Sequence, residues 1–116
     1  MTFTLYGRTQ SGQHIYSIIP QGEFAPKPTE VKILQSVAIP ISDMIESNPV
    51  LIYDDAFEET LAVHENDFWI QQTFKIKPEN QPGEYPLEGF ILYQVCDQKI
   101  CSLRLKKSFY QSIIIE

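Results

Sequence analysis

At 116 residues, with 43% hydrophobic and 12% aromatic side chains, the chain has the material for one core and reads as a single domain over residues 1–116 rather than as disordered sequence. Its formal net charge of -6, from 15 acidic and 9 basic residues, argues against a broad electrostatic surface for nucleic acid and against attraction to anionic lipid, which leaves proteins and small molecules as partners. No apolar run approaches the roughly 18 residues that cross a bilayer, and Met1-Thr2-Phe3-Thr4 lacks the basic and apolar regions of a secretory leader.

Taken in chain order, the sequence gives strands broken by turn residues and almost no helix. Phe3 and Leu5 alternate with polar or small neighbours, Gly7 to Gly12 turns the chain, and His14 to Ile19 makes a second extended run that stops at Pro20. Pro20, Gly22, Pro26 and Pro28 predict a stiff irregular loop, followed by an extended stretch from Val31 to Pro40. Ser42 to Ser47 is the single helix candidate: Ser42 is a capping residue, and Pro49 ends the turn quickly. Thr60 to His64 and Phe68 to Ile76 are rich in aromatic and branched residues and are separated by Glu65-Asn66-Asp67, a hairpin-turn signal. Pro78, Pro82, Gly83 and Pro86 mark a long loop, and the runs Phe90 to Val95 and Leu103 to Ile115 predict a closing hairpin. Seven or so short strands at this spacing give an all-β fold, an immunoglobulin-like antiparallel β-sandwich.

The chain's two cysteines, Cys96 and Cys101, lie inside that closing hairpin. If residues 97 to 100 form its loop, the two face each other across the last rung, at a separation that suits a disulfide. So small a closed loop removes only about 2 kcal/mol of unfolded-state entropy, a weak staple, which raises the question of chemistry. Three readings stand at this point: a structural clip, an exchangeable redox couple, and two unrelated thiols or metal ligands. A closed zinc site wants four ligands, and only His14 and His64 are left to help, each isolated in a strand-like run where a satisfied or half-exposed structural imidazole is expected. Lys99 favours ionisation of a nearby sulfur and Asp97 opposes it, so the sequence shows no strong thiolate activation, and no helix start follows the pair.

The string Gly89-Phe90-Ile91-Leu92-Tyr93-Gln94-Val95-Cys96-Asp97-Gln98-Lys99-Ile100-Cys101 resembles the signature of the N-terminal periplasmic domain of the thiol:disulfide interchange protein DsbD, in which Tyr-Gln-x-Cys-Asp-x-x-x-Cys precedes the last strand. Further back, His14-Ile15-Tyr16-Ser17 is similar to that family's early tyrosine-containing strand, Pro26-Lys27-Pro28-Thr29 to its proline-rich loop, and Asp54-Asp55-Ala56-Phe57 to its acidic and aromatic loop. One departure is Ser102-Leu103-Arg104-Leu105, where many relatives carry proline soon after the second cysteine.

The resemblance implies an immunoglobulin-like domain that shuttles electrons in the periplasm by thiol-disulfide exchange, a fragment without its signal peptide and tethered in its parent protein to a membrane domain. It implies a thioredoxin-like electron donor domain and, as acceptor, a periplasmic disulfide isomerase or cytochrome c maturation protein, with no cofactor and no metal. Cys101 would form the mixed disulfide with a partner and Cys96 would resolve it, with Phe57 as an aromatic cap over the sulfurs and Tyr16 as a second wall of the pocket. Each assignment has a plain structural counterpart: Phe57 as an apolar anchor for an acidic loop, Tyr16 half-buried at a sheet edge with its hydroxyl at solvent, Trp69 as core. Asp54, Asp55, Glu58 and Glu59 read as a solvated loop, and Lys106 and Lys107 as guards on an edge strand. The competing function, from a different class, is a secreted immunoglobulin-like interaction module whose disulfide is permanent.

Overall fold

The computed structural model describes residues 1–34 and 37–116, and its regular elements are strands throughout: β1 (Thr2–Arg8), β2 (Ile15–Tyr16), β3 (Glu30–Ile33), β4 (Ala38–Pro40), β5 (Ile45–Glu46), β6 (Val50–Asp54), β7 (Glu59–His64), β8 (Asp67–Ile76), β9 (Gly83–Tyr93) and β10 (Leu105–Ile115). Every pairing is antiparallel. One sheet runs β1-β8-β4 with β5 also on β8, a second runs β10-β9-β3, and a smaller third runs β2-β7-β6. The fold is the immunoglobulin-like sandwich expected from the strand spacing, drawn out to 52 × 23 × 20 Å. Among the described residues no helix is long and apolar enough to cross a membrane.

Strand alternation builds the core. Phe68, Ile70 and Phe74 share the inward face of β8, and Leu87 and Ile91 share that of β9, so burying both faces brings the two larger sheets together. Phe3 on β1 stacks on Phe109 of β10 at 5.1 Å and closes one flank. Trp69 falls on the other parity of β8 and is half-buried opposite Phe68 and Ile70, outside the core it was expected to join. The small sheet carries its own cluster of Tyr16, Leu61, Val63 and Cys96, with Ala25, Ile52, Phe57 and Cys101 packed against it.

Several local expectations are corrected. The helix candidate at Ser42 to Ser47 is a bridging strand, β5, because its serines are used by β8. The Ser42 hydroxyl accepts from the Thr73 N–H at 3.1 Å, and the Ser47 hydroxyl accepts from the Trp69 N–H at 3.0 Å, so both serines serve β8 instead of a helix. Glu65-Asn66-Asp67 is not a hairpin turn. The strands either side of it belong to different sheets, and the crossing is tied to the end of β1, where Thr9 Oγ1 accepts from the Asn66 N–H at 2.7 Å and the Thr9 N–H donates to the Asn66 carbonyl at 3.0 Å. Asn66 takes the left-handed conformation there, φ 61°.

Other boundaries shift. β1 continues through Gly7 to Arg8 before the chain turns, and the run from His14 pairs with β7 only at Ile15–Tyr16. Beyond it the Glu46 carboxylate holds both the Ser17 hydroxyl, at 2.5 Å, and the Ile18 N–H, at 3.1 Å, and bends the chain away. The long loop ends sooner than its prolines suggest. Pro86 lies within β9, opposite Ser112, over a stretch where β9 has β10 alone as neighbour, so its missing N–H breaks no central ladder.

Candidate functional site

The site forms where the β9–β10 connection meets the small sheet. Within that connection Cys96 and Cys101 pair as a bridge, and the turn at residues 97–100 is closed by the Asp97 N–H donating to the Ile100 carbonyl at 2.9 Å. The Asp97 carboxylate accepts from the amides of Lys99, at 2.7 Å, and Ile100, at 2.8 Å. Those two amides, Ile100 first, hold its carboxyl below the usual range, so this acid shapes the turn. Ser102 extends the pairing by one rung, its N–H donating to the Val95 carbonyl at 2.8 Å and its hydroxyl accepting from the Val95 N–H at 3.1 Å. A proline at position 102 would delete both of these bonds.

The two cysteines are joined in a disulfide, with Cα atoms 4.0 Å apart, which removes the reading as unrelated thiols. Their surroundings differ. Cys96 is 1% exposed and is held just ahead of β2 by reciprocal backbone bonds with His14, both 2.9 Å, whereas Cys101 is half-buried beside the exposed side chains of Ile100 and Leu103. Cys101 is therefore the more exposed member of the pair.

Tyr16 covers the buried sulfur. The ring is 1% exposed, its hydroxyl lies 3.2 Å from Cys96 Sγ and 3.9 Å from Cys101 Sγ, and the one proton it has to donate goes to Asp54 Oδ2 at 2.7 Å. The expectation of a hydroxyl at solvent is thus corrected. Burial, then the hydrogen bond and charge of Asp54, push the phenol well above its ordinary range, so Tyr16 keeps its proton at any physiological pH.

Asp54 is the residue that sequence reasoning missed. It was grouped with Asp55, Glu58 and Glu59 as solvated loop, yet it is 5% exposed at the end of β6. A usable signal was present: in the run Val50-Leu51-Ile52-Tyr53-Asp54 the acid shares strand parity with Ile52, which packs against the small-sheet cluster. Its Oδ1 accepts from the amides of Ala56, at 2.9 Å, and Phe57, at 3.1 Å. Burial alone would raise its pKa, but the Tyr16 hydroxyl, those two amides and nearby His14 outweigh that effect and leave it below the ordinary carboxylate value.

One carboxylate therefore anchors both the hydroxyl over Cys96 and the loop that carries Phe57. In that loop, residues 55–58, Glu58 takes φ 55° and turns the chain into β7. Phe57 folds back, half-buried, onto the cluster of Tyr16, Leu61, Val63 and Cys96, its ring edge-on to Tyr16 at 6.1 Å. Replacing Phe57 with alanine is expected to speed alkylation of the reduced cysteines several-fold while costing about 1 kcal/mol of stability, since the ring is only partly buried. An unchanged alkylation rate would remove Phe57 from any covering role.

The two histidines diverge. His64 is a satisfied structural imidazole, buried, with Nε2 2.5 Å from Glu46 Oε1 and its ring stacked on Phe68 at 5.2 Å. His14 is 6% exposed and edge-on to Tyr16 at 5.5 Å, but its Nε2 has no hydrogen-bond partner, contrary to expectation. Among the described residues no group of three or more His, Cys, Asp or Glu side chains is placed to hold a metal. A cleft of about 490 Å³ along the flank between β1 and β10 includes neither cysteine, nor Tyr16, Asp54 or Phe57. Lys106 and Lys107 lie on β10, an edge strand, with Lys106 Nζ 4.2 Å above the Phe90 ring.

Neither a protein-family model nor a curated protein matches this chain. Among solved structures it is similar to the crystal structure of the N-terminal domain of DsbD from Neisseria meningitidis in the reduced form, with a TM-score of 0.64 and 15% identity over 96% of this chain and 76% of that one. The fold implied by the cysteine string is therefore the fold found.

Proposed function

We propose that this domain is a thiol-disulfide oxidoreductase component that carries electrons through reversible opening of the Cys96–Cys101 bond. The observation that carries the reading is the inequality of the two sulfurs: Cys96 buried beneath Tyr16, Cys101 half-buried at the tip among exposed apolar side chains. Exchange requires in-line access to one sulfur while the other stays close enough to displace the partner, and a half-buried Cys101 bonded to a buried Cys96 fits that requirement. Cys101 takes the mixed disulfide and Cys96 resolves it. The likeness in fold to a DsbD N-terminal domain supports the same roles, with a thioredoxin-like domain as donor, a periplasmic disulfide isomerase or cytochrome c maturation protein as acceptor, and the periplasm as compartment.

The test pairs two single variants with an oxidised thioredoxin-like partner. Cys96→Ser is expected to trap a mixed disulfide through Cys101, and Cys101→Ser to trap little or none. Trapping through neither sulfur, or a reduction potential below about -300 mV, would mark a permanent bond and give the interaction-module reading its place.

A further inference from the structure

Among the described residues, His14 Nε2 is the buried side-chain nitrogen left without a hydrogen-bond partner. An unmatched buried polar atom costs stability, so its presence asks for a state in which it is used. It points at the reactive bond through two intermediaries. Nε2 lies 3.6 Å from Asp54 Oδ2, that same oxygen accepts the Tyr16 proton at 2.7 Å, and the Tyr16 oxygen lies 3.2 Å from Cys96 Sγ.

With the disulfide closed, the cluster holds one buried negative charge, Asp54, already served by Tyr16 and two amides. Opening the bond adds a second. A dithiol's thiolate attacks Cys101 Sγ, the bond to Cys96 Sγ breaks, and its electron pair leaves on Cys96 as a thiolate in a pocket sealed from water. Two buried anions with no cation between them are costly. We infer that His14 is a positioning residue that takes up one proton from solvent as the bond opens, and that its imidazolium then holds Asp54 while the Tyr16 hydroxyl turns from the carboxylate to the Cys96 sulfur. The dithiol's second thiolate next attacks its own sulfur in the mixed disulfide and Cys101 leaves as a thiolate that is protonated from solvent. The dithiol ends oxidised and the protein pair reduced by two electrons.

The groups facing His14 are consistent with this role. Tyr16 meets its ring edge, Asp54 lies across from Nε2, and Asp97 on the cysteine turn is close enough to be influenced by it, with Lys99 the opposing cation beside Asp97. His64, whose residue pairs with Ile15, is occupied by Glu46. This inference rests on the exchange reading above.

The test is the rate of reduction by dithiothreitol from pH 5.5 to 8.5, divided by the reagent's thiolate concentration. For the unaltered protein that corrected rate is expected to fall at least about threefold as pH rises through the range where imidazoles titrate, because a better-stabilised thiolate leaves faster. For His14→Gln it is expected to be flat and to match the unaltered protein only at high pH. A variant with the same pH profile as the parent overturns the role of His14 and leaves exchange standing, whereas a disulfide that dithiothreitol does not open overturns both. Should His14→Gln fail to fold, imidazole NMR of the unaltered protein decides: His14 titrating identically in oxidised and reduced forms overturns the inference, and added protonation on reduction supports it.

Discussion

Replacing Asp54 with alanine is expected to destabilise the domain by about 3 kcal/mol or more, a large share of the roughly 5–15 kcal/mol that holds a domain of this size folded. The loss has two parts. The Tyr16 hydroxyl is buried and would keep its donor with only the weak acceptor Cys96 Sγ in reach, and the amides of Ala56 and Phe57 would lose the oxygen that ties their loop down. Tyr16→Phe takes the donor from Asp54 Oδ2 but leaves the two loop amides on Oδ1, and is expected to cost less, about 2 kcal/mol. In a double-mutant cycle the two losses should fall short of additive, because Asp54→Ala does less harm once the phenol is gone. Urea unfolding with an unchanged m-value is the measurement, and an Asp54→Ala loss below about 1 kcal/mol would contradict the arrangement.

Acid gives an independent check with a definite sign. The folded-state pKa of Asp54 lies below its ordinary value, so its ionisation stabilises the fold fully above the unfolded carboxylate range, near pH 4, and this contribution drains away as pH falls through the lower, folded value. Unfolding titrations below pH 4 should therefore converge for Asp54→Asn and the parent.

The second large effect is steric. Gly89 lies on β9, paired with Phe109 on one side and Ile33 on the other, and a methyl group at that position would come within 2.2 Å of the Lys32 carbonyl oxygen and 2.7 Å of the Phe109 ring. The first obstacle is backbone of the neighbouring strand, which cannot swing aside as a side chain does. Gly89→Ala is expected to cost about 3 kcal/mol or more, above the usual range for overpacking, and to reduce soluble yield. Gly7→Ala has the Phe68 ring as its nearest obstacle, at 2.2 Å, and should be the milder of the two although it too is crowded. A thermal unfolding midpoint for Gly89→Ala within a degree or two of the parent would show that β3 yields more easily than its pairing implies.

Much of this architecture was legible in the sequence because strand burial has a period of two. The aromatic and branched runs that became β7, β8, β9 and β10 were read as strands, and the cysteines were placed across the last rung by the turn between them. What was not legible depends on distant partners. Ser42 is a capping residue by type, and only the arrival of β8, about thirty positions later in the chain, spends its hydroxyl elsewhere. Glu65-Asn66-Asp67 has hairpin composition, but whether flanking strands pair or part is decided by the sheets they join. The run that forms β6 ends in acids, and an acidic cluster such as Asp54, Asp55, Glu58 and Glu59 reads as solvated unless the strand parity of each member is followed. The resemblance singles out Phe57 and Tyr16, and the structure packs both into the cluster that holds Cys96, yet nothing local to Tyr16 announces that its hydroxyl is buried.

The distances along the chain that separate these parts bear on how the site comes into being. The disulfide joins residues five apart, whereas Tyr16 reaches Cys96 across 80 positions and Asp54 across 38. Oxidation needs one local turn, while the roof above the sulfur needs most of the chain in place. The bond can thus form in an unfolded polypeptide, and with no third thiol in the sequence there is no mispaired isomer within the chain to correct. In that state both sulfurs stand open to water. Folding is the step that tells them apart.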